Sequence, residues 1–114
     1  MDDCIFCKIA SKKIPSNILY EDDELVAFPD IGPQAPAHIL IVPKRHVSDI
    51  MAMASADRSW WDRVPFAVQE IAKQQRVDAG GFRLVVNCGA DGGQAVAHVH
   101  VHLLGGRKLS WPPG

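Results

Sequence analysis

The stretch Ala97-His98-Val99-His100-Val101-His102-Leu103-Leu104 decides the fold predicted for this chain, because histidine alternates with apolar residues along it. Successive side chains of a β-strand point to opposite faces, so a strand over residues 97–104 places the three histidines on one face. The chain has 5 histidines in all, and three of them in strict alternation are not expected by chance. We therefore predict a strand with its apolar face packed under a helix and three imidazoles on the opposite face.

Two kinds of chemistry suit three histidines on one face. They can chelate a catalytic metal that keeps one position open for water. Alternatively, a neutral imidazole, whose ordinary pKa is about 6.5, is itself a nucleophile and an acid or base near pH 7. The turn before the strand, Gly89-Ala90-Asp91-Gly92-Gly93-Gln94, has glycines whose backbone amides can cradle a phosphate. This turn favours a nucleophilic histidine that acts on phosphate, and the metal site stays the alternative.

The rest of the sequence predicts short strands, one long helix and a short N-terminal helix. Apolar spacing indicates helices over residues 4–10 and 55–77, and apolar runs indicate strands over residues 18–20, 25–28, 38–42 and 82–87. Pro65 lies inside the second helix and is expected to kink it or to mark its true first turn. Short connections favour an antiparallel sheet of roughly five strands with the helix on one face, which is an α+β fold.

Length and composition limit the classes of function. A chain of 114 residues fits one domain, residues 1–114. Its 12 basic and 13 acidic residues give a net charge of −1, which provides no general attraction for nucleic acid or a membrane surface. The sequence contains no apolar run of the roughly 18 residues that span a membrane, and its first residues do not resemble a signal peptide. The cytoplasm is therefore the expected compartment.

The cysteines indicate a reduced protein with a possible metal site. Three cysteines, an odd number, do not suit a secreted disulfide framework. Cys4-x-x-Cys7 is compatible with zinc or with a redox pair. The redox interpretation needs a strand before the motif, and the few residues before Cys4 are too short to supply one.

The alternating histidines with Leu103 and Leu104 resemble the signature of the histidine-triad (HIT) family. Further segments resemble its HINT branch in the same order along nearly the whole chain. They are Ile5-Phe6, Lys8-Ile9, Ile14-Pro15, Asp30-Ile31-x-Pro33-Gln34-Ala35-Pro36, His38-x-Leu40-x-Val42-Pro43-Lys44, His46, Val85-Val86-Asn87, Asp91-Gly92-Gly93-Gln94 and Trp111-Pro112-Pro113-Gly114. The resemblance implies one HIT domain, whose sheet continues into that of a second copy in a homodimer, and it implies no catalytic cofactor.

The resemblance also implies an activity. HINT-like proteins hydrolyse nucleoside phosphoramidates, typically adenosine 5′-phosphoramidates, through a nucleotidyl-histidine intermediate. By this similarity His100 is the nucleophile, and the backbone carbonyl of His98 is expected to hold the proton on its far nitrogen. His102 is expected to contact phosphate oxygens, and His38 to orient or polarise the group.

Further residues match the family's purine nucleotide site. Asp30 matches the acid that binds the ribose hydroxyls. The segments that line phosphate and ribose match Asn87, Gly92, Gly93, Gln94 and Ala95, and the apolar purine slot matches Ile5, Phe6, Ile9, Phe28 and Ile31. Simple core packing is the alternative for the apolar set. The family commonly has serine at the position of Ala95, where it assists the leaving group, so we predict slower phosphoramidate turnover.

Some zinc-binding relatives hold the metal with two cysteines and two histidines. This resemblance implies a structural zinc site at Cys4, Cys7, His46 and His98, which ties the N-terminus to the sheet at a distance from the chemistry. It also places Trp111 near the active site of the partner in the homodimer.

Two other functions remain open from the sequence. The first is hydrolysis of dinucleoside polyphosphates, although those relatives extend well past the triad and this chain has 12 residues after His102. The second is a zinc-stapled nucleotide-binding or interaction module with little turnover, which Ala95 favours.

Overall fold

The computed structural model describes residues 3–114 and shows a sheet with helices on both faces. Its strands are β1 (Tyr20–Glu21), β2 (Leu25–Pro29), β3 (Ala37–Pro43), β4 (Phe82–Val85) and β5 (Val101–Gly105). Its α-helices are α1 (Ile5–Ala10), α2 (Arg58–Trp61), α3 (Val64–Gln74) and α4 (Gly89–Gly92). The strands form one antiparallel sheet in the order β1-β2-β3-β5-β4. The predicted five-stranded α+β fold is confirmed.

The main core lies between the sheet and α3. The helix presents Val64, Ala67, Val68 and Ile71 to the sheet, and all four are buried. The sheet contributes alternate residues of its strands, namely Leu25, Ala27, Ile39, Ile41, Val101 and Leu103. Burying side chains of this size stabilises the fold by about 1.5–3 kcal/mol each. This core covers one face of the sheet, and the histidines lie on the other face.

A second, smaller core lies under α1 on the opposite face. The Cys4 sulfur caps α1 by accepting a hydrogen bond from the Cys7 N–H at 3.5 Å. The helix then buries Phe6 and Ile9 against the sheet residues Val26, Phe28, Leu40 and Val42. Because both faces of β2 and β3 are covered, these strands read as continuous apolar runs in the sequence.

The helix predicted over residues 55–77 is wrong in its extent. The segment begins with a 3-10 turn at Ser55–Asp57, continues through α2 and is interrupted at residues 62–63 before α3 begins. Pro65 lies in the first turn of α3, where its missing N–H costs no hydrogen bond. One of the two outcomes predicted for Pro65, the true first turn, is therefore confirmed.

The predicted histidine strand is shorter than residues 97–104. Paired backbone begins at Val101, and Ala97 is exposed. The alternation of faces still holds, because Val99 joins Val101 and Leu103 in the main core. The turn predicted over residues 88–95 contains the single helical turn α4, which ends at Gly93 with a left-handed φ of 79°.

Membrane insertion by a helix finds no support in the structure. Within residues 3–114, none of the helices combines the length and the apolar character needed to cross a bilayer.

Candidate active site

The pairing of β3 with β5 brings two distant histidines into contact. Leu40 pairs with His102 and His38 pairs with Leu104, so both imidazoles project from the face of the sheet that α1 covers. His38 Nε2 lies 2.9 Å from His102 Nδ1. The structure therefore joins two of the residues that the sequence assigned to the site.

A backbone amide fixes the protonation of His38. The N–H of Gln34 donates to His38 Nδ1 at 3.0 Å, so this nitrogen carries a lone pair and the ring proton sits on Nε2. Burial lowers the pKa of His38, although the Asp30 carboxylate acts in the opposite direction. Asp30 Oδ2 lies 3.6 Å from His38 Nε2, too far for a hydrogen bond. His38 is neutral, and it donates from Nε2 to His102.

This donation determines the state of His102. Since His102 Nδ1 accepts the proton of His38, the proton of His102 itself resides on Nε2. Burial, with contributions from the nearby His100 and His38, lowers the pKa of His102 to about 4. Among the residues that the structure describes, the buried Nε2 finds no hydrogen-bond partner. An unpaired buried donor is costly, and an anionic ligand would satisfy it.

His100 is held in the opposite orientation. Its Nδ1 donates to the backbone carbonyl of His98 at 2.7 Å, as the family resemblance implied. The lone pair therefore sits on Nε2. The ring is 5% exposed, and its centroid lies 4.9 Å from that of His102 and 5.1 Å from that of Phe6. A nitrogen lone pair and a hydrogen-bond donor thus lie on neighbouring rings.

The four residues predicted to bind zinc converge at one end of this site. His98 Nδ1 lies 3.3 Å from Cys4 Sγ and 3.5 Å from Cys7 Sγ, and His46 Nδ1 lies 3.3 Å from Cys7 Sγ. Tetrahedral zinc separates sulfur and nitrogen ligands by about 3.6 Å, given its usual bond lengths. All four ligand atoms lie within 4.8 Å of one another. The donor set and its spacing fit zinc.

The protonation state of His98 suits a metal ligand. Its Nε2 donates to the carbonyl of Pro43 at 2.8 Å, so Nδ1 is left unprotonated towards the two thiols. Burial lowers its pKa to about 4, which keeps the ring neutral. The side chain is fully buried.

The expectation that the zinc site lies at a distance from the chemistry is wrong. The side chain of His98 faces Cys4 and Cys7, while its backbone carbonyl holds the proton of His100. The two sites share one residue because they occupy the same short segment.

A metal bound jointly by the three alternating histidines has no support here. Within residues 3–114, two groups of side chains are close enough to share an ion, and neither contains all three. The second group is Asp30, His38 and His102. Its two imidazoles already share a hydrogen bond, which occupies nitrogens that a metal would need.

The remaining predicted residues fall into two sets. Phe6, Ile9 and Phe28 are buried in the second core, whereas Ile5 and Ile31 are exposed. Asp30 borders His38 and accepts a hydrogen bond from the Gly32 N–H at 2.7 Å. Their contact with a purine or ribose stays a prediction.

The loop residues and Trp111 lie at the surface. Asn87 is half-buried, and Gly92, Gly93 and Ala95 are exposed. Ala95 lines a cavity of about 400 Å³ together with Cys4 and His46. Trp111 is exposed and contacts the guanidinium of Arg83, which lies 5.9 Å from its ring centroid.

Sequence reasoning missed two supporting groups. The side chain of Gln94, predicted only as part of the nucleotide loop, accepts from the Gly89 N–H and donates to the carbonyls of Ser48 and Val96. The backbone N–H of Gln34 sets the tautomer of His38. A backbone amide carries no signal in a sequence, and one of the three glutamine partners, Ser48, is distant in the chain.

Known proteins resemble this chain in sequence and in structure. Residues 11–109 match the family model described as HIT domain. The chain is 48% identical over 116 residues to the 14 kDa zinc-binding protein of Brassica juncea, covering 98% of this chain and 100% of that protein. It is 47% identical over 114 residues to adenylylsulfatase HINT1 of Arabidopsis thaliana, covering 96% and 76% respectively. The crystal structure of a HIT family hydrolase from Legionella pneumophila superposes with a TM-score of 0.93 at 43% identity, covering 98% and 100%.

Proposed function

The chain belongs to the HIT domain family, a family of nucleotide hydrolases, and we propose that it hydrolyses purine nucleoside 5′-phosphoramidates through a covalent intermediate on His100. The observation that carries this proposal is the hydrogen bond from His100 Nδ1 to the His98 carbonyl at 2.7 Å. It leaves Nε2 as an unprotonated nitrogen on a held ring. A held nucleophile needs little reorganisation before it attacks.

The reaction proceeds in two displacements at the α-phosphorus. In the first, His100 Nε2 forms a bond to phosphorus, the bond from phosphorus to the amine nitrogen breaks, and the amine leaves with a proton taken from water. In the second, water attacks phosphorus and gives up a proton that neutralises the hydroxide left by the first step, the bond to Nε2 breaks, and the nucleoside monophosphate leaves. The covalent route divides one difficult displacement into two easier ones.

His102 stabilises the charge that develops on phosphate. Its Nε2–H is buried without a partner among residues 3–114, and it lies on the ring next to His100. A fixed donor of this kind is worth roughly 10²–10³ in kcat when it meets the transition state. His38 keeps that donor in place because it occupies the other nitrogen of His102.

We further propose the remaining parts of the site from the family resemblance. Asp30 binds the ribose hydroxyls, the loop around Gly92 and Gly93 lines the phosphate, and the purine packs against apolar residues near α1. Residues 1–114 form one HIT domain. Zinc bound at the four-ligand site would cross-link the N-terminus to the sheet and takes no part in the displacement.

A homodimer is part of the same proposal. β4 lies at the edge of the sheet, and its Phe82 and Leu84 are 38% and 44% exposed. An apolar hollow of about 370 Å³, lined by residues that include Trp61, Leu84 and Val86, adjoins this edge. Pairing of two such edges would continue the sheet across the dimer and cover this apolar surface.

The test is a rapid-mixing experiment with an adenosine 5′-phosphoramidate. We expect amine release to precede release of the nucleotide. We also expect the quenched protein to carry an alkali-stable nucleotide adduct on His100. His100→Ala should abolish both the adduct and turnover while nucleotide still binds. If the wild-type protein releases no amine, the phosphoramidate proposal is wrong.

A second substrate, adenylylsulfate, is favoured by Ala95. An amine leaving group needs a proton, and alanine has no hydroxyl to help deliver one. Sulfate is a stable anion that leaves without a proton, so the missing hydroxyl costs little for this substrate. One relative, from Arabidopsis thaliana, is named adenylylsulfatase.

The Ala95→Ser variant separates the two substrates. We expect it to raise kcat for the phosphoramidate about tenfold, because general acid assistance contributes at least that much. The kcat for adenylylsulfate should change less than about twofold, since no proton is transferred to sulfate. Equal changes for both substrates would mean that residue 95 does not handle the leaving group.

A further inference from the structure

We propose that metal binding by Cys4, Cys7, His46 and His98 positions the nucleophile His100, in addition to cross-linking the N-terminal segment to the sheet. This inference rests on the proposed function of His100. Two separate sets of contacts lead from the ligands to the His100 ring, one through the backbone of His98 and one through Phe6.

The first set of contacts runs through His98. Its Nδ1 faces the two thiols at 3.3 and 3.5 Å, and its Nε2 is tied to the Pro43 carbonyl at 2.8 Å. With a metal on Nδ1, both ring nitrogens of His98 have a partner, so the ring is held in one orientation. The carbonyl of this same residue accepts the proton of His100 Nδ1 at 2.7 Å. Any backbone rotation at His98 therefore changes the direction of the bond that orients the nucleophile.

The second set of contacts runs through α1. Phe6 lies between the two cysteine ligands in the sequence, and its ring packs edge-on against His98 at 5.8 Å and against His100 at 5.1 Å. Phe6 is buried, so it limits tilting of both rings. Its position depends on α1, and the metal would hold the start of α1 to the sheet at Cys4 and Cys7.

The consequence is a specific kinetic defect in metal-free protein. The ribose and phosphate contacts proposed above come from Asp30 and the glycine loop, which are not ligands of this metal, whereas the purine packs near α1. Loss of metal should therefore lower kcat roughly tenfold, as small misplacements of reacting groups do, and any change in KM should come from the purine contacts. A metal with a purely structural role would lower the melting temperature and leave kcat of the folded protein unchanged.

The test uses His46, which makes no hydrogen bond to His98 or His100, although its ring packs edge-on against that of His98 at 4.9 Å. His46→Ala removes one ligand, and His46→Cys restores a four-ligand set of three thiolates and one imidazole, which zinc also accepts. Wild type and His46→Cys are loaded with zinc, His46→Ala is prepared free of zinc, and zinc content and folding by circular dichroism are measured for all three. The readout is the Nδ1–H proton of His100, observed by NMR of protein labelled with ¹⁵N-histidine.

We expect a slowly exchanging Nδ1–H signal in zinc-loaded wild type and in His46→Cys. In His46→Ala the signal should exchange at least about tenfold faster, and kcat should fall in parallel. An unchanged signal in folded, zinc-free His46→Ala overturns the inference. Because the NMR readout needs no substrate, it separates this failure from failure of the proposed hydrolase activity.

Two further variants test whether the metal has only a structural role. Val64→Ala, in the main core on the opposite face, should lower the melting temperature without changing the His100 signal. Phe6→Leu keeps all four ligands and should bind zinc, yet it should speed exchange of the His100 proton. If His46→Ala does not fold, Phe6→Leu decides: an unchanged His100 signal in that variant would contradict the coupling through α1.

Discussion

At the scale of residues, the site depends on the protonation state of each imidazole. Backbone groups set three of these states: the Gln34 N–H for His38, the Pro43 carbonyl for His98 and the His98 carbonyl for His100. His102 is set in turn by His38. Each ring thus has a defined tautomer, which in the proposed mechanism lets one ring attack and its neighbour donate.

The role of the His102 donor can be tested by substitution. We expect His102→Ala to lower kcat for the phosphoramidate by roughly 10²–10³, because a preorganised donor to the phosphate is lost. His102→Gln should retain more activity, since its amide can place an N–H near the position of Nε2. Steady-state kinetics of the two variants measure this, and equal losses would argue against a donor role.

The depressed pKa values of His38 and His102 predict how stability depends on pH. The unfolded chain binds a proton on each imidazole near pH 6.5, whereas the native His102 binds one only near pH 4. The free energy of unfolding contributed by this residue is therefore fully present above about pH 6.5 and is lost as the pH falls towards about pH 4. The lowered pKa of His38 acts in the same direction.

The measurement is the urea midpoint of wild type and His102→Gln at about pH 7.5 and about pH 5, at one zinc concentration. His98 titrates in both proteins, so the difference between them reports on His102. We expect the variant to lose less stability on acidification. Identical losses would mean that His102 is already charged in the native protein.

At the scale of elements, the glycine-rich loop is held by a single side chain. Gln94 accepts from the Gly89 N–H at 3.0 Å and donates to the Ser48 carbonyl at 2.7 Å and the Val96 carbonyl at 2.9 Å. It thereby connects α4 to the segment after β3 and to the segment before His98. The loop has few apolar contacts of its own, so this amide supplies much of its order.

We expect Gln94→Leu to lower kcat/KM for the phosphoramidate about tenfold, because three hydrogen bonds are lost, two of them partly buried. Amide hydrogen exchange over residues 88–94 should become faster in the same variant. Gln69→Leu, an exposed glutamine on α3, is the matched control and should change neither measurement. A Gln94→Leu protein with unaltered exchange in the loop would exclude the bracing role.

At the scale of the whole molecule, the open edge of the sheet predicts self-association. Leu84 on β4 is 44% exposed and borders the apolar hollow that includes Trp61. We expect the wild-type protein to sediment as a dimer and Leu84→Asp to sediment as a folded monomer, because burying an unpaired carboxylate in the interface is costly. A Glu70→Lys variant on the exposed surface of α3 should remain a dimer. A wild-type monomer at micromolar concentration would contradict the proposed assembly.

The sequence alone determined the features that depend on local spacing. Alternation with a period of two placed His98, His100 and His102 on the face opposite the main core, and this holds although the paired strand starts only at Val101. Apolar runs located the central strands, and the Cys4-x-x-Cys7 motif located half of a four-residue cluster that fits zinc. These features are properties of neighbouring residues, so their spacing in the chain is enough to predict them.

The tertiary structure decided what depends on contacts between distant segments. The tautomers follow from backbone amides and carbonyls, which are the same chemical group at every position and leave no mark in a sequence. The bracing by Gln94, the packing of Phe6 on His100 and the joining of the metal site to the nucleophile through His98 depend likewise on the order of strands in the sheet. The sheet brings these groups within hydrogen-bond distance, and only that proximity sets which ring nitrogen carries the proton.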